Sequence, residues 1–90
     1  MTSPAQFVSR LRSLVASVSG VLTPEDRELV EHLIDHDEGG EALTSLAWIV
    51  VDGNKQIPRP AMDEFLKLAE GLVDPRYMPE GFESHVVDAP

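Results

Sequence analysis

The chain has 90 residues with sixteen acidic and seven basic side chains, a formal net charge of −9 at pH 7, and no cysteine. The absence of cysteine excludes disulfides and thiolate metal sites, and the length fits one domain with a modest core. A field of this sign repels nucleic acid and anionic membranes and attracts basic partners. The sequence therefore predicts a single domain that binds neither nucleic acid nor a membrane directly.

The first predicted helix begins at the capping signal Ser3-Pro4 and stops at Gly20. Apolar residues recur along it at helical spacing and form one stripe: Phe7, Val8, Leu11, Leu14, Val15 and Val18. No early basic cluster precedes a continuous apolar run in this segment, so a signal peptide is not expected. The expected location is the cytoplasm.

The second predicted helix begins at Thr23-Pro24, because threonine caps a helix start and proline is preset for the first turn. Its buried stripe is expected at four apolar positions: Leu29, Val30, Leu33 and Ile34. Acids occupy most of the other positions. The pair Gly39-Gly40 is interpreted as the end of this helix, because glycine is a common helix stop.

The third predicted helix begins at Glu41 and is apolar nearly all round, which is typical of a central helix. One face of it is traced by Ala42, Leu43, Leu46, Ala47 and Val50. Its segment Trp-Ile-Val-Val before Asp52-Gly53 is also typical of a strand entering a hairpin. Pro58 and Pro60 disfavour a returning strand, so a helix that ends near Asp52-Gly53 is the better prediction. Most of the surface of Trp48 is then expected to lie in the core.

A linker over residues 55–59 leads to a fourth predicted helix, which starts at Pro60 and closes near Gly71. The prolines that follow, with the apolar anchors Tyr77, Met78 and Phe82, predict an irregular segment that packs partly over the helices and frays at its end. The expected fold is all-α. A compact bundle of about four helices spans residues 1–76, and an irregular C-terminal tail over residues 77–90 is packed on it or frays from it.

No catalytic motif is present, so an enzyme is not expected and no catalytic residue is assigned. The chain lacks a nucleophile elbow and a phosphate-binding glycine loop. His32 and His36 lie four residues apart and could share a divalent metal, but no clear third ligand or HExxH pattern accompanies them. The sequence therefore predicts no metal and no other cofactor.

The acidic residues are concentrated in one stretch of the chain. Eight of the sixteen acids lie between Glu25 and Glu41, opposed by one arginine. Charge alone favours partner binding and simple solvation about equally. If the stretch binds a partner, an aromatic anchor beside it would contribute. The candidate binding residues are Glu28, Glu31, Asp35, Asp37, Glu38, Glu41, Trp48 and Asp52.

The segments Leu22–Glu25 and Glu38–Leu43, with Leu46 and Ile57-Pro58, resemble the MafI family of small bacterial immunity proteins. The resemblance covers residues 22–72, although here the glycine pair and Glu41 run directly into the next helix without the usual spacer. It implies an immunity protein that neutralises a cognate toxin domain, frequently a nuclease, in the cytoplasm. A nuclease cleft is basic because it holds phosphates, so such a partner agrees with the charge prediction.

A second hypothesis is a small helical adaptor or regulatory subunit. It would bind its partner through an apolar groove near Trp48, Phe65 and Tyr77. Salt separates the two hypotheses, because binding through an apolar groove persists at high ionic strength while binding through exposed charges weakens. No oligomeric state is predicted.

Overall fold

The computed structural model describes residues 4–88, and this part of the chain forms a bundle of four α-helices. They are α1 (Pro4–Ser17), α2 (Pro24–Asp35), α3 (Gly39–Asp52) and α4 (Arg59–Ala69). Helix α2 packs mainly against α3, and α1 contacts both α2 and α4. The predicted all-α class is confirmed. The predicted cap at Ser3 and the last two residues of the tail lie outside the described range.

Helix α3 contributes more buried residues to the core than any other helix of the described chain, which agrees with its apolar composition. Its buried stripe consists of the five predicted residues, Ala42, Leu43, Leu46, Ala47 and Val50. Burying this stripe against the other helices stabilises the helical conformation over the strand that the Trp-Ile-Val-Val segment also allows. No polar or charged residue of the described chain is buried, so the core between the helices is entirely apolar.

Helix α2 begins where the sequence predicts. The Thr23 hydroxyl accepts a hydrogen bond from the Asp26 backbone N–H at 3.1 Å, and the Asp26 carboxylate accepts one from the Thr23 N–H at 3.3 Å. This reciprocal capping box satisfies two backbone donors that would otherwise lack partners. It fixes the start of the acidic helix relative to the turn before it.

The predicted end of α2 at the glycine pair is wrong, because the helix ends at Asp35. Asp37 adopts a φ of 60°, in the left-handed region, and the Glu38 N–H donates to the Leu33 carbonyl at 2.8 Å. An aspartate tolerates this conformation better than most residues do, since its short polar side chain can bond locally. The chain therefore turns before it reaches the glycines.

Gly39 and Gly40 form the first turn of α3, which begins two residues before the predicted Glu41. A Cβ at residue 39 would lie 2.5 Å from Cε1 of Phe7 in α1, whereas one at residue 40 would approach Leu72 no closer than 3.7 Å. Glycine at position 39 thus allows the start of α3 to lie against α1. That contact sets the position of the turn between α2 and α3.

The tail is part of the folded core. Phe82 is 3% exposed, and its ring packs on Phe65 of α4 with the centroids 4.6 Å apart. Two short strands, β1 (Ile57–Pro58) and β2 (Val86–Val87), pair in parallel and join the tail to the linker before α4. Of the three predicted anchors, Phe82 is buried, whereas Tyr77 is 64% exposed.

An ion pair joins α1 to α4 and makes the stability of the bundle depend on pH. Arg10 donates two hydrogen bonds to the Glu64 carboxylate, and these lower the pKa of Glu64 from its ordinary value of 4.5. Because the folded pKa is the lower one, the pair stabilises the fold fully above that ordinary value, and its contribution is lost as the pH falls through the folded pKa. Glu64→Gln should therefore lower the free energy of unfolding near neutral pH, and the difference from the wild type should shrink as the pH falls below 4.5 and close below the folded pKa of Glu64.

Urea denaturation of the two proteins over a series of pH values measures this difference. Glu70→Gln is the matched control, since Glu70 is exposed at the end of α4 and forms no salt bridge within residues 4–88. The control should differ little from the wild type at any pH. A difference between Glu64→Gln and wild type that stays constant from neutral to acidic pH would contradict the role given to the pair.

Candidate partner-binding surface

The structure distributes the candidate residues over three adjoining places. Glu28, Glu31 and Asp35 follow one another by three and four residues, so they share the outer side of α2. Asp37 and Glu38 lie in the turn between α2 and α3. The α3 residues Glu41, Trp48 and Asp52 follow one another by seven and four residues, so they share one exposed side of that helix.

Two of the three candidate acids on α2 already have partners inside the protein. Arg12 of α1 donates to Asp35, and that hydrogen bond lowers the pKa of Asp35 below its ordinary value of 3.8. Arg27 pairs with Glu31 one turn along α2, with 3.3 Å between Nε and Oε1. Glu28 has no ion pair within the described chain, so it is the only one of the three whose charge is not balanced by an arginine.

All five arginines of the protein are engaged in this way, each with one acid: Arg10, Arg12, Arg27, Arg59 and Arg76. Sixteen acids and five such pairs leave eleven carboxylates without an arginine partner over residues 4–88. Seven of the eleven lie on α2, α3 or the turn between them: Glu25, Asp26, Glu28, Asp37, Glu38, Glu41 and Asp52. The uncompensated charge of the molecule is therefore concentrated there.

The turn brings three candidate acids together. Asp37, Glu38 and Glu41 are exposed and line one shallow depression, which extends to α1 and the end of α4. None of the three carboxylates has a hydrogen bond or ion pair within the part of the chain that the structure describes. Glu70 and one unpaired cation, Lys67, line the same depression, so acids outnumber free cations there and this end of the bundle is negative.

Trp48 is not a member of the buried core, although somewhat more than half of its surface is covered. Its side chain is 44% exposed, and its indole N–H donates to the Tyr77 carbonyl at 2.9 Å. The buried stripe of α3 occupies the opposite side of the helix, which leaves Trp48 beside Asp52 at the surface. The candidate assignment of Trp48 is thus compatible with its position.

Sequence reasoning missed one exposed apolar neighbour. The sequence predicts Leu29 in the buried stripe of α2, but it is 49% exposed and lines a depression together with Trp48 and Asp52. The helical spacing places Leu29 at the edge of that stripe, so only the packing of α2 on α3 decides its exposure. Sequence alone offered no signal for this contact.

The histidine pair lies on the outside of α2. The His32 and His36 rings are tilted against each other with their centroids 4.2 Å apart. No group of three or more His, Asp or Glu side chains between residues 4 and 88 is arranged to hold a metal ion. None of the helices in this range has the length and apolar character needed to cross a membrane.

The fold and this surface define the protein as a small all-α bundle with an acidic, tryptophan-bearing face built on α2, α3 and their connecting turn. Comparisons of the chain with protein-family models, with curated proteins and with solved structures found no match. The resemblance to the MafI family stays a prediction. Function therefore has to be argued from the surface itself.

Proposed function

We propose that this protein is an immunity protein that binds and neutralises a toxin with a basic surface, with a nuclease domain as the expected target. The observation that supports this most is the unequal pairing of charges. Every arginine is held by an acid, while seven uncompensated acids are concentrated on α2, α3 and their turn. Such an arrangement presents an anionic surface to a partner and no comparable cationic one.

The charge pattern suits a nuclease because such an enzyme must bind phosphates and therefore carries a basic cleft. An acidic protein surface is complementary to that cleft and can occupy or cover it. Opposite potentials speed diffusional encounter, and salt screens them. Fast, salt-sensitive association is the expected signature of this function, and the MafI resemblance of residues 22–72 supports the same assignment.

The adaptor hypothesis, which requires an apolar groove near Trp48, Phe65 and Tyr77, has less support than the immunity hypothesis. Phe65 is fully buried in the core, so it cannot line an apolar groove at the surface. Trp48 and Tyr77 are exposed, but uncompensated acids lie close to them along α3. A partner that contacts these aromatic residues would therefore also meet negative charge.

Co-expression tests the proposed function. The C-terminal domain of the protein encoded next to this one should arrest growth when produced alone, and co-expression of the full chain should restore growth. The two purified proteins should form a complex whose association slows markedly as salt is raised. The matched control is an unrelated acidic helical protein of similar charge, which should not protect. A neighbouring domain without toxicity, or a complex insensitive to salt, would contradict the proposal.

A further inference from the structure

Trp48 forms a ridge between two shallow depressions on the surface of α3. On one side the lining includes Glu41, Ser45 and Tyr77. On the other it includes Leu29, Asp52 and Lys55. The ridge is therefore an aromatic side chain with apolar neighbours and a carboxylate on each side.

The indole of Trp48 is held by a hydrogen bond in the protein without a partner. Its indole N–H donates to the carbonyl of Tyr77, the last residue of the short 3-10 helix Pro75–Tyr77. That helix is itself capped, because the Asp74 side chain accepts from the Arg76 backbone N–H at 2.9 Å. A side chain that is already ordered loses little conformational entropy on binding, which favours its use as an anchor.

Three acids without an ion pair over residues 4–88 line the two depressions, against one such cation, Lys55, and this balance favours a cationic occupant. Glu41 and Asp52 lie on the same exposed side of α3 as Trp48 and have no ion pair within residues 4–88. A guanidinium can stack on an aromatic face and donate in-plane hydrogen bonds to carboxylates at the same time. Leu29 and Tyr77 add apolar surface that suits an apolar residue next to the cation.

We infer that the ridge formed by Trp48, Glu41 and Asp52 is the primary contact for an arginine-bearing segment of the partner protein. The arginine stacks on Trp48 and pairs with one of the two flanking carboxylates, and an apolar neighbour of that arginine contacts Leu29 or Tyr77. The inference rests on the proposed function only for the identity of the partner. It assigns the main contact to α3 and gives the acids on α2 the lesser role of attracting the partner.

A second copy of this chain is a poor occupant of the ridge. All five of its arginines are already in ion pairs, so self-association through a stacked arginine would first have to break one of them. Two copies also carry the same net negative charge of −9, which opposes their approach. A different, basic protein meets neither obstacle.

Nuclear magnetic resonance of the full ¹⁵N-labelled protein tests the inference with defined probes. The probe is the peptide acetyl-Arg-Leu-Arg-Leu-Arg-amide, compared with peptides in which every arginine is replaced by glutamate or by alanine. The arginine peptide should shift the signals of Glu41, Ser45, Asp52 and the Trp48 indole N–H, and the other two should leave them in place. Trp48→Ala should weaken binding of the arginine peptide by about five-fold, and Asp52→Asn by about three-fold.

Leu66→Ala and Glu83→Gln are matched controls, because they make similar changes at exposed positions that line a depression away from α3. Trp48→Phe, which keeps a ring, should retain part of the affinity even if Trp48→Ala is destabilised. Shifts centred on the outer side of α2, equal shifts with the alanine peptide, or concentration-dependent dimerisation through the ridge would overturn the inference. If a toxin domain binds and Trp48→Ala and Trp48→Phe bind it like the wild type, the inference fails and the proposed function stands. If the arginine peptide maps to the ridge but no toxin domain is bound, the proposed function alone fails.

Discussion

Phe82→Ala is expected to lower the free energy of unfolding by about 3–5 kcal/mol, the usual cost of deleting a buried phenylalanine ring. The side chain is 3% exposed and packs against Phe65, which is itself fully buried. Removing it leaves a cavity between α4 and the tail and weakens the attachment of β2 to β1. Since small domains have only about 5–15 kcal/mol of stability, the loss should be a large fraction of the total.

Urea denaturation followed by circular dichroism measures the loss. In the same samples, Trp48 fluorescence reports on the surroundings of the indole, which is hydrogen-bonded to the Tyr77 carbonyl. The control is Val87→Ala in the same tail, because Val87 is 48% exposed and should change stability by no more than about 0.5 kcal/mol. If Phe82→Ala unfolded at the same urea concentration as the control, the tail would not belong to the core.

The elements that sequence predicted best are those specified by local signals. Helical spacing gave the buried stripe of α3, and the Thr23-Pro24 cap gave the start of α2, because both depend on residues within a few positions of each other. Their agreement with the structure explains why the fold class was predictable.

The features that sequence missed depend on contacts between distant parts of the chain. Strand β2 pairs with β1 because the tail returns to the linker before α4, and the absence of a side chain at Gly39 lets the start of α3 lie against Phe7 of α1. The left-handed conformation of Asp37 ends α2 early. Such a conformation is expected first at a glycine, so the residue type at position 37 did not predict it. Such features become predictable only once the packing of the bundle is known.

The candidate surface could likewise be predicted only in part from the sequence. The acids could be counted, but their pairing could not, since Arg12 is 23 residues from the Asp35 that it contacts. The exposure of Trp48 depends on how α3 is rotated in the bundle. The ion pairs decide which acids are suitable for mutation, because reversing Asp35 or Glu31 would also break an internal ion pair.

Simultaneous reversal of Glu28, Glu38 and Glu41 to lysine should therefore weaken binding of the toxin domain by about 100-fold or more, because like charges facing each other across an interface cost several kcal/mol. All three side chains are exposed and none forms an ion pair over residues 4–88, so the fold should be preserved. Most of the effect should appear as slower association at low salt, since these charges act over a distance.

The control reverses Asp63, Glu80 and Glu83, three exposed acids on α4 and in the tail that do not line the depression shared by Glu38 and Glu41. Both triple variants carry the same formal charge, so a difference between them reports where the charge lies and not how much there is. Surface plasmon resonance over a range of salt concentrations should show the loss for the first variant and near wild-type affinity for the second. Equal losses would mean that the overall field of the protein attracts the partner and that α2, α3 and their turn form no specific binding face.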